Sequence, residues 1–196
     1  MISSVAGNNV ITGSSIQDTI AGAAGTDTIA LASGGNDIVE YNAVTEGGAA
    51  GTGGAFAAGD TITGMTITGA DGAVDDFDFN AIAAIALNGG NVTYEAAAAG
   101  AATGTNTVIE ITGAAAASLT SSANVLTAIG NFSGQAAAFA ATDVHIFLVD
   151  ETGNANFGVY AYTEADGLAT AVEGDITLLA TVVGTAANFD ADNLIA

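Results

Sequence analysis

The chain has 196 residues and a formal net charge of −21, because it contains 21 Asp and Glu residues and neither Lys nor Arg. Without cationic side chains the chain has no means of neutralising phosphates, which argues against nucleic-acid binding and against attachment to anionic membrane surfaces. The absence of Cys excludes thiol catalysis, disulfides and Cys-based zinc sites. Half of the residues are nonetheless hydrophobic, which favours a folded chain over a disordered one.

The charge imbalance points to a cofactor. Repulsion among carboxylates opposes compaction, and this chain has almost no positive group of its own to oppose that repulsion. Dissolved cations that prefer oxygen ligands are therefore the neutralising agents to expect, and Ca²⁺ is the leading candidate.

A short motif recurs in the first 41 residues. Asp18-Thr19-Ile20, Asp27-Thr28-Ile29 and Asp37-Ile38-Val39 follow one another at spacings of 9 and 10, and Asn9-Val10-Ile11 precedes them by 9. Asp60-Thr61-Ile62 repeats the triplet once more. Glycine stands two residues before the acidic residue at Gly25 and Gly35. Each unit therefore predicts a turn followed by a short strand whose Ile or Val points inward.

Residues 6–41 resemble the calcium-binding nonapeptide repeats of RTX proteins, whose unit is Gly-Gly-x-Gly-x-Asp-x-apolar-x. The segment 22–29 matches that unit with one glycine replaced, whereas the units ending at Asp18 and Asp37 depart further from it. The resemblance implies a short parallel β-roll in which Asp side chains and backbone carbonyls in the turns bind Ca²⁺. The ligands that it implies here are Asn9, Asp18, Gly25, Asp27, Gly35 and Asp37. The alternative for each Asp is a turn in which the carboxylate binds its own backbone.

A second acidic cluster follows the repeats. Asp75, Asp76 and Asp78 lie within four positions of each other, and Asp71 is nearby. Adjacent carboxylates destabilise one another unless they share a cation, so these residues are further candidate metal ligands. A solvated strand edge is the alternative. At a predicted hairpin tip, Asp150, Glu151 and Asn154 favour a hydrated turn over a metal site.

The remaining elements are predicted from β-branched runs, turn residues and Ala content. Residues 42–58 predict a loop, 59–65 a strand, and 91–95 and 106–112 two more strands. Ala-rich stretches at 114–128 and 135–141 predict helices. Residues 143–150 and 157–162 predict a hairpin, and 175–184 predict a final strand.

This C-terminal part resembles the end of RTX and surface-layer proteins that leave the cell by type I secretion. The first residues, Met1 to Gly7, show neither the basic region nor the apolar region of a cleaved signal, which agrees with such export. No apolar run approaches the length needed to cross a bilayer, so membrane insertion is not expected. The expected location is extracellular or at the cell surface.

The sequence therefore predicts an all-β protein. A parallel β-roll over 1–41 is followed by a mostly antiparallel, sandwich-like body over 42–196, with one or two short helices. We expect a structural protein rather than an enzyme: a secreted, calcium-dependent subunit of a filament, surface layer or matrix, whose partner is itself.

Two alternatives belong to other classes. The first is a calcium-dependent adhesin or carbohydrate-binding module that takes cell-surface polysaccharide, with anchoring aromatics at Tyr41, Tyr94, Tyr160 and Tyr162. The second is a hydrolase that uses the acidic cluster, although the sole imidazole, His145, stands in a strand pattern typical of a structural residue.

Overall fold

The all-β prediction is confirmed. A computed structural model describes residues 1–31, 34–67, 74–82, 85, 92–103, 107–130, 144–163, 171–184 and 186–195. These residues form twelve strands and one α-helix, α1 (Ser122–Ile129). The strands are β1 (Ile2–Ser3), β2 (Val10–Thr12), β3 (Thr19–Ala21), β4 (Thr28–Ala30), β5 (Ile38–Glu40), β6 (Asp60–Thr63), β7 (Asp76–Asp78), β8 (Tyr94–Ala98), β9 (Val108–Thr112), β10 (Val144–Asp150), β11 (Asn156–Thr163) and β12 (Ile176–Val183).

Strands β1 to β7, which we call the N-terminal coil, alternate between two sheets. The odd-numbered strands form a four-stranded sheet in the order β1-β3-β5-β7, and the even-numbered strands open an eight-stranded sheet. Every pairing within the coil is parallel. Each strand turns one apolar side chain towards the other sheet, as the recurring triplets predict. Buried side chains at these inward positions are Ile11, Ile20, Ile29, Val39, Ile62 and Phe77.

The coil extends past the boundary predicted at residue 41. Strand β6 pairs with β4, and β7 pairs with β5, so the division at residue 41 does not coincide with a break in either sheet. Residues 42–58 contain turns and an isolated bridge between Thr52 and Ala55, in keeping with the predicted loop. The third Asp-Thr-Ile triplet, at Asp60, resumes the pattern after this long connection.

The eight-stranded sheet continues from the coil into strands β8 to β12, which we call the C-terminal region. Its order is β2-β4-β6-β12-β11-β10-β9-β8. The hairpin predicted from 143–150 and 157–162 is present as the antiparallel pair β10–β11, and β12 pairs antiparallel with β11. The sheet is mixed, because β6–β12, β10–β9 and β9–β8 are parallel, so the predicted antiparallel pairing applies to only part of the body. The long connection between β9 and β10, which contains α1, lets the chain return and enter the sheet in the same direction.

The described residues form two apolar clusters. The first lies between the two sheets and includes Tyr41, Phe77 and Phe157. The second packs on the opposite face of the C-terminal region and includes Phe147, Tyr160 and Val125 of α1. The C-terminal region is therefore covered on both faces of its sheet.

The helix predicted at 114–128 forms only in its last part, as α1. Upstream of α1, the N–H of Ala116 donates to the carbonyl of Asp150, so this backbone binds the hairpin instead of forming a helical turn. Helix propensity is a weak preference that such tertiary hydrogen bonds override. The second predicted helix, 135–141, lies outside the described residues. No described helix has the length and apolar character of a membrane span.

Candidate functional site

The turns of the N-terminal coil place acidic side chains in two stacks. We call Asn9, Asp27 and Asp60 the first ladder, and Asp18, Asp37 and Asp75 the second ladder. Each member stands immediately before a coil strand or at its first residue. Four of these carboxylates are almost completely buried, with exposed fractions of 0% for Asp27 and Asp37, 1% for Asp60 and 2% for Asp75.

In the first ladder, each carboxylate accepts the backbone N–H of the preceding member. The N–H of Asn9 donates to Oδ1 of Asp27 at 2.7 Å, and the N–H of Asp27 donates to Oδ1 of Asp60 at 2.8 Å. The hydroxyl of Tyr41 donates to the other oxygen of Asp60 at 2.9 Å. The amide of Asn9 donates to the carbonyls of Val5 and Gly7, so its side chain is engaged within its own turn.

The second ladder repeats this geometry at the opposite turns. The N–H of Asp18 donates to Oδ1 of Asp37 at 2.9 Å, and the N–H of Asp37 donates to Oδ1 of Asp75 at 2.8 Å. The other oxygen of Asp75 accepts the N–H of Thr66 at 2.7 Å. At the end of this ladder nearest to β1 and β2, Oδ2 of Asp18 accepts both the N–H and the hydroxyl of Ser14. The ladders therefore join successive turns of the N-terminal coil through charge-assisted hydrogen bonds to the backbone.

Among the described residues, one oxygen in the middle of each ladder has no hydrogen-bond partner. These atoms are Oδ2 of Asp27 and Oδ2 of Asp37, both buried. A buried, ionised oxygen without a partner is costly, so either a proton or a cation is needed to stabilise it. Among the ladder residues, Asp27 and Asp37 are therefore the strongest candidates for cation binding.

The recurring glycines are explained by close packing of the turns. Gly25 has a φ of +147°, and a Cβ there would lie 2.5 Å from the carbonyl oxygen of Gly7 in the adjacent turn. A Cβ on Gly22 would lie 2.4 Å from Oδ2 of Asp27, so the unpartnered oxygen rests directly against the backbone of this glycine. Gly35 likewise stacks on Ile16 of the adjacent turn. Gly25 and Gly35, whose backbone carbonyls are predicted calcium ligands, therefore lie in the stacked turns beside the ladders.

Three ladder carboxylates, Asp18, Asp37 and Asp60, have shifted pKa values. Burial, reinforced by the charges of Asp75 and Asp18, raises the pKa of Asp37. Burial raises the pKa of Asp60 to about 7, although hydrogen bonds from the Asp27 N–H and the Tyr41 hydroxyl act in the opposite direction. Hydrogen bonds from Ser14 lower the pKa of Asp18. The surroundings of Asp37 and Asp60 therefore disfavour the negative charge of these two carboxylates, whereas the surroundings of Asp18 favour its charge.

The second predicted cluster is divided between two faces. Asp75 points into the coil as part of its ladder, whereas Asp76 and Asp78 are half-buried at alternate positions of β7, beside Ile38 and Glu40 of β5. Burial, with the charges of Asp75 and Asp192, raises the pKa of Asp76 to about 6. One oxygen of Asp76 has no hydrogen-bond partner, and Asp78 accepts the N–H of Asn80. Asp71 lies outside the described residues.

Within the part of the chain that the structure describes, no three His, Asp or Glu side chains are grouped so that they could hold a metal ion. A cation beside Asp27 or Asp37 would therefore take most of its ligands from backbone carbonyls of the turns. Calcium accepts such mixed sets of carboxylate and carbonyl oxygens.

Sequence reasoning missed two ladder contacts. Asp60 was absent from the predicted ligands although its Asp-Thr-Ile triplet carried the same signal as the others. The amide of Asn193, near the C-terminus, donates to the carbonyls of Asp75 and Ile67 at 3.2 Å. No local sequence pattern predicts this contact, because the partners are separated by more than a hundred residues.

The other candidate residues are buried or form hydrogen bonds within the fold. Tyr41, Tyr160 and Tyr162 are buried, and the half-buried Tyr94 donates to Glu110 and to the carbonyl of Phe189, so these rings do not form the predicted exposed sugar platform. His145 is buried in β10, as a structural strand residue would be. At the hairpin tip, Glu151 accepts hydrogen bonds from the Asn154 and Asn156 amides, and Asp150 accepts the N–H of Ala186.

Comparison with protein-family models finds no match for this chain, and comparison with curated proteins finds none either.

Proposed function

We propose that this protein is a calcium-dependent, self-assembling structural protein of the cell exterior, a subunit of a filament, surface layer or matrix. One observation carries the proposal: Asp27 and Asp37 each bury a carboxylate oxygen without a hydrogen-bond partner, in a chain that has neither Lys nor Arg. Ca²⁺ is the proposed cofactor and a second copy of the chain is the proposed partner. The resemblance to RTX and surface-layer proteins supports type I secretion.

The energetic argument starts from burial. An ionised carboxylate that loses its water is destabilised by several kcal/mol unless an opposite charge lies close to it. The ladder N–H groups satisfy one oxygen of Asp27 and of Asp37, and leave the second for a proton or a cation. At neutral pH, millimolar calcium outside the cell would occupy such oxygens and stabilise the folded coil by mass action.

The expected consequence is calcium-coupled folding of the coil. Circular dichroism in chelator should show less β structure than in millimolar calcium, and the thermal midpoint should rise with calcium. Asp27→Asn and Asp37→Asn should each reduce this response, because one neutral amide replaces the ligand charge. Asp192→Asn, at an exposed residue outside the ladders, is the matched control and should respond like the unmodified chain. Identical spectra and midpoints in chelator and calcium would refute the calcium site.

Self-assembly is tested separately. Light scattering and negative-stain microscopy should show growing particles in calcium and their loss after chelation. A species that stays monomeric at high protein concentration in calcium would refute the structural role. Such a monomer that bound polysaccharide would support the adhesin alternative, which the burial of Tyr41, Tyr160 and Tyr162 disfavours.

The ladders constrain how copies meet. Asp27, Asp37 and Asp75 are buried within one chain, so they do not bridge subunits as calcium ligands. The contacts between copies must therefore involve another part of the surface.

A further inference from the structure

The end of the N-terminal coil formed by β1 and β2 exposes apolar side chains beside two strand edges that no described strand pairs with. Strands β1 and β2 are the terminal strands of their sheets, and each pairs with one described neighbour. Four large hydrophobic side chains at this end are exposed: Met1 (83%), Val5 (76%), Val10 (82%) and Ile16 (71%). A concentration of exposed apolar groups at one end of a protein is typical of an interaction surface.

The opposite end of the eight-stranded sheet is the edge of β8. Among the described strands, β8 pairs only with β9, and its Ala96 and Ala98 are exposed. The one acidic side chain on this strand, Glu95, accepts hydrogen bonds from the N–H and hydroxyl of Thr103.

The hydrogen-bond pattern identifies which backbone groups point away from the sheet. In β2, the carbonyl of Asn9 accepts from Thr28 and the N–H of Gly13 donates to Ala30, so Val10 and Thr12 direct their N–H groups outward. In β8, the carbonyl of Thr93 accepts from Val108, so by the same alternation Ala96 and Ala98 direct theirs outward. Within the described residues, the outward N–H groups of Val10, Thr12, Ala96 and Ala98 have no backbone partner, whereas the carbonyl of Ala98 accepts the N–H of Ala101. Each edge therefore presents backbone groups to an incoming strand.

The two edges also have compatible directions. Between β2 and β8 the sheet contains two antiparallel pairings, β12–β11 and β11–β10, and all others are parallel. Two reversals cancel, so β2 and β8 run in the same direction. A copy translated along the sheet would bring its β2 against β8 as a parallel pair, which continues the parallel pairings β2–β4 and β9–β8 at the two ends.

Charge selects these edges for contact between copies. Because every copy carries a net charge of −21, copies approach most easily where acidic side chains are few. Of the eight residues in β2 and β8, only Glu95 is acidic. Neither edge carries the Lys or Pro with which proteins usually block strand addition.

We infer that copies of this chain join head to tail through the edge of β2 and the edge of β8, which extends the eight-stranded sheet from one subunit to the next. This inference rests on the proposed self-assembly and names its interface. The contact uses two different surfaces, so it does not close on itself and generates an open filament. A contact between two β2 edges would instead be antiparallel and would stop at a dimer.

Two proline variants test the interface. Thr12→Pro removes an outward N–H from β2, and Ala96→Pro removes one from β8. The backbone hydrogen bonds from β2 to β4 and from β8 to β9 remain in both variants. Each variant alone should fail to form filaments in calcium, as measured by sedimentation velocity and microscopy. Mixed in equal amounts, the two should form a heterodimer, because the mixture contains one intact β2 edge and one intact β8 edge. Thr12→Val and Ala96→Val keep the N–H groups and should assemble normally.

The outcomes separate the two proposals. If the unmodified chain stays monomeric in calcium, the proposed function fails. If the unmodified chain assembles and both proline variants assemble equally well, or only one of the two blocks growth, or the mixture stays monomeric, the β2–β8 interface is wrong. Circular dichroism verifies that each variant is folded. Should a proline variant lose its β structure, Val10→Glu and Ala98→Glu replace the pair, since each places a carboxylate at one edge, and the same mixing result decides.

Discussion

The N-terminal coil and the C-terminal region share a sheet but are held together differently. Most strands of the coil have three residues and turn a single apolar side chain inward. Buried carboxylates connect each turn of the coil to the next. Strands β10 to β12 have seven or eight residues, and apolar clusters cover both faces of their sheet.

This difference separates two sources of stability. In the coil, little apolar area is buried per strand, so the stacking of turns depends on the charge state and hydrogen bonds of Asp residues. In the C-terminal region, burial of large side chains supplies the stabilisation and does not depend on ions. Conditions that change carboxylate charge should therefore affect the coil more than the C-terminal region.

The largest effect is expected for Phe147→Ala in the C-terminal region. Phe147 is completely buried and meets Tyr162 edge-on at 5.8 Å. The cavity should lower the free energy of unfolding by about 3–5 kcal/mol, equally in calcium and in chelator. Urea denaturation followed by circular dichroism measures this. Val183→Ala, at a half-exposed residue of β12, should change little. A loss that appears only in chelator would contradict the comparison.

The next effect concerns pH and the coil. Because the folded pKa of Asp60 is raised to about 7, folding favours the protonated carboxyl, and the stability it contributes at low pH is lost as the pH rises through 7. Without calcium, the free energy of unfolding should fall by about 3 kcal/mol between pH 5 and pH 8 from this group. Asp60→Asn should remove that part of the pH dependence. A variant with an unchanged profile would show that Asp60 is not responsible.

A smaller effect is expected for Gly22→Ala in the coil. The new Cβ would lie 2.4 Å from Oδ2 of Asp27, so the turn must shift, which should destabilise the protein by about 1–3 kcal/mol. Gly174→Ala is the control, since a Cβ there meets no atom within 4 Å. Hydrogen exchange should show the disturbance in the strands beside Gly22 and not in β10 or β11. Equal stability of the two variants would indicate that Asp27 is free to move away.

The coil was predictable because its information is local. The triplets at Asp18, Asp27 and Asp37 place an acidic residue, a strand and an inward apolar residue at fixed positions, and the turn glycines have fixed offsets. The hairpin of β10 and β11 was predictable for the same reason, since a polar turn connects two runs of strand-forming residues. The edges that we propose as an interface required the full strand order.

By itself, the sequence determined the all-β class, the recurring turns with their inward Ile and Val, and the excess of carboxylates without cationic partners. Only the tertiary structure decided that Asp27 and Asp37 each bury one unpartnered oxygen, that Asp75 and Asp76 face opposite sides, and that the C-terminal region mixes parallel and antiparallel strands. The physical reason is the range of the interactions. Turn and strand preferences act between neighbours in the chain, whereas burial, strand order and carboxylate pKa depend on residues brought together from distant positions.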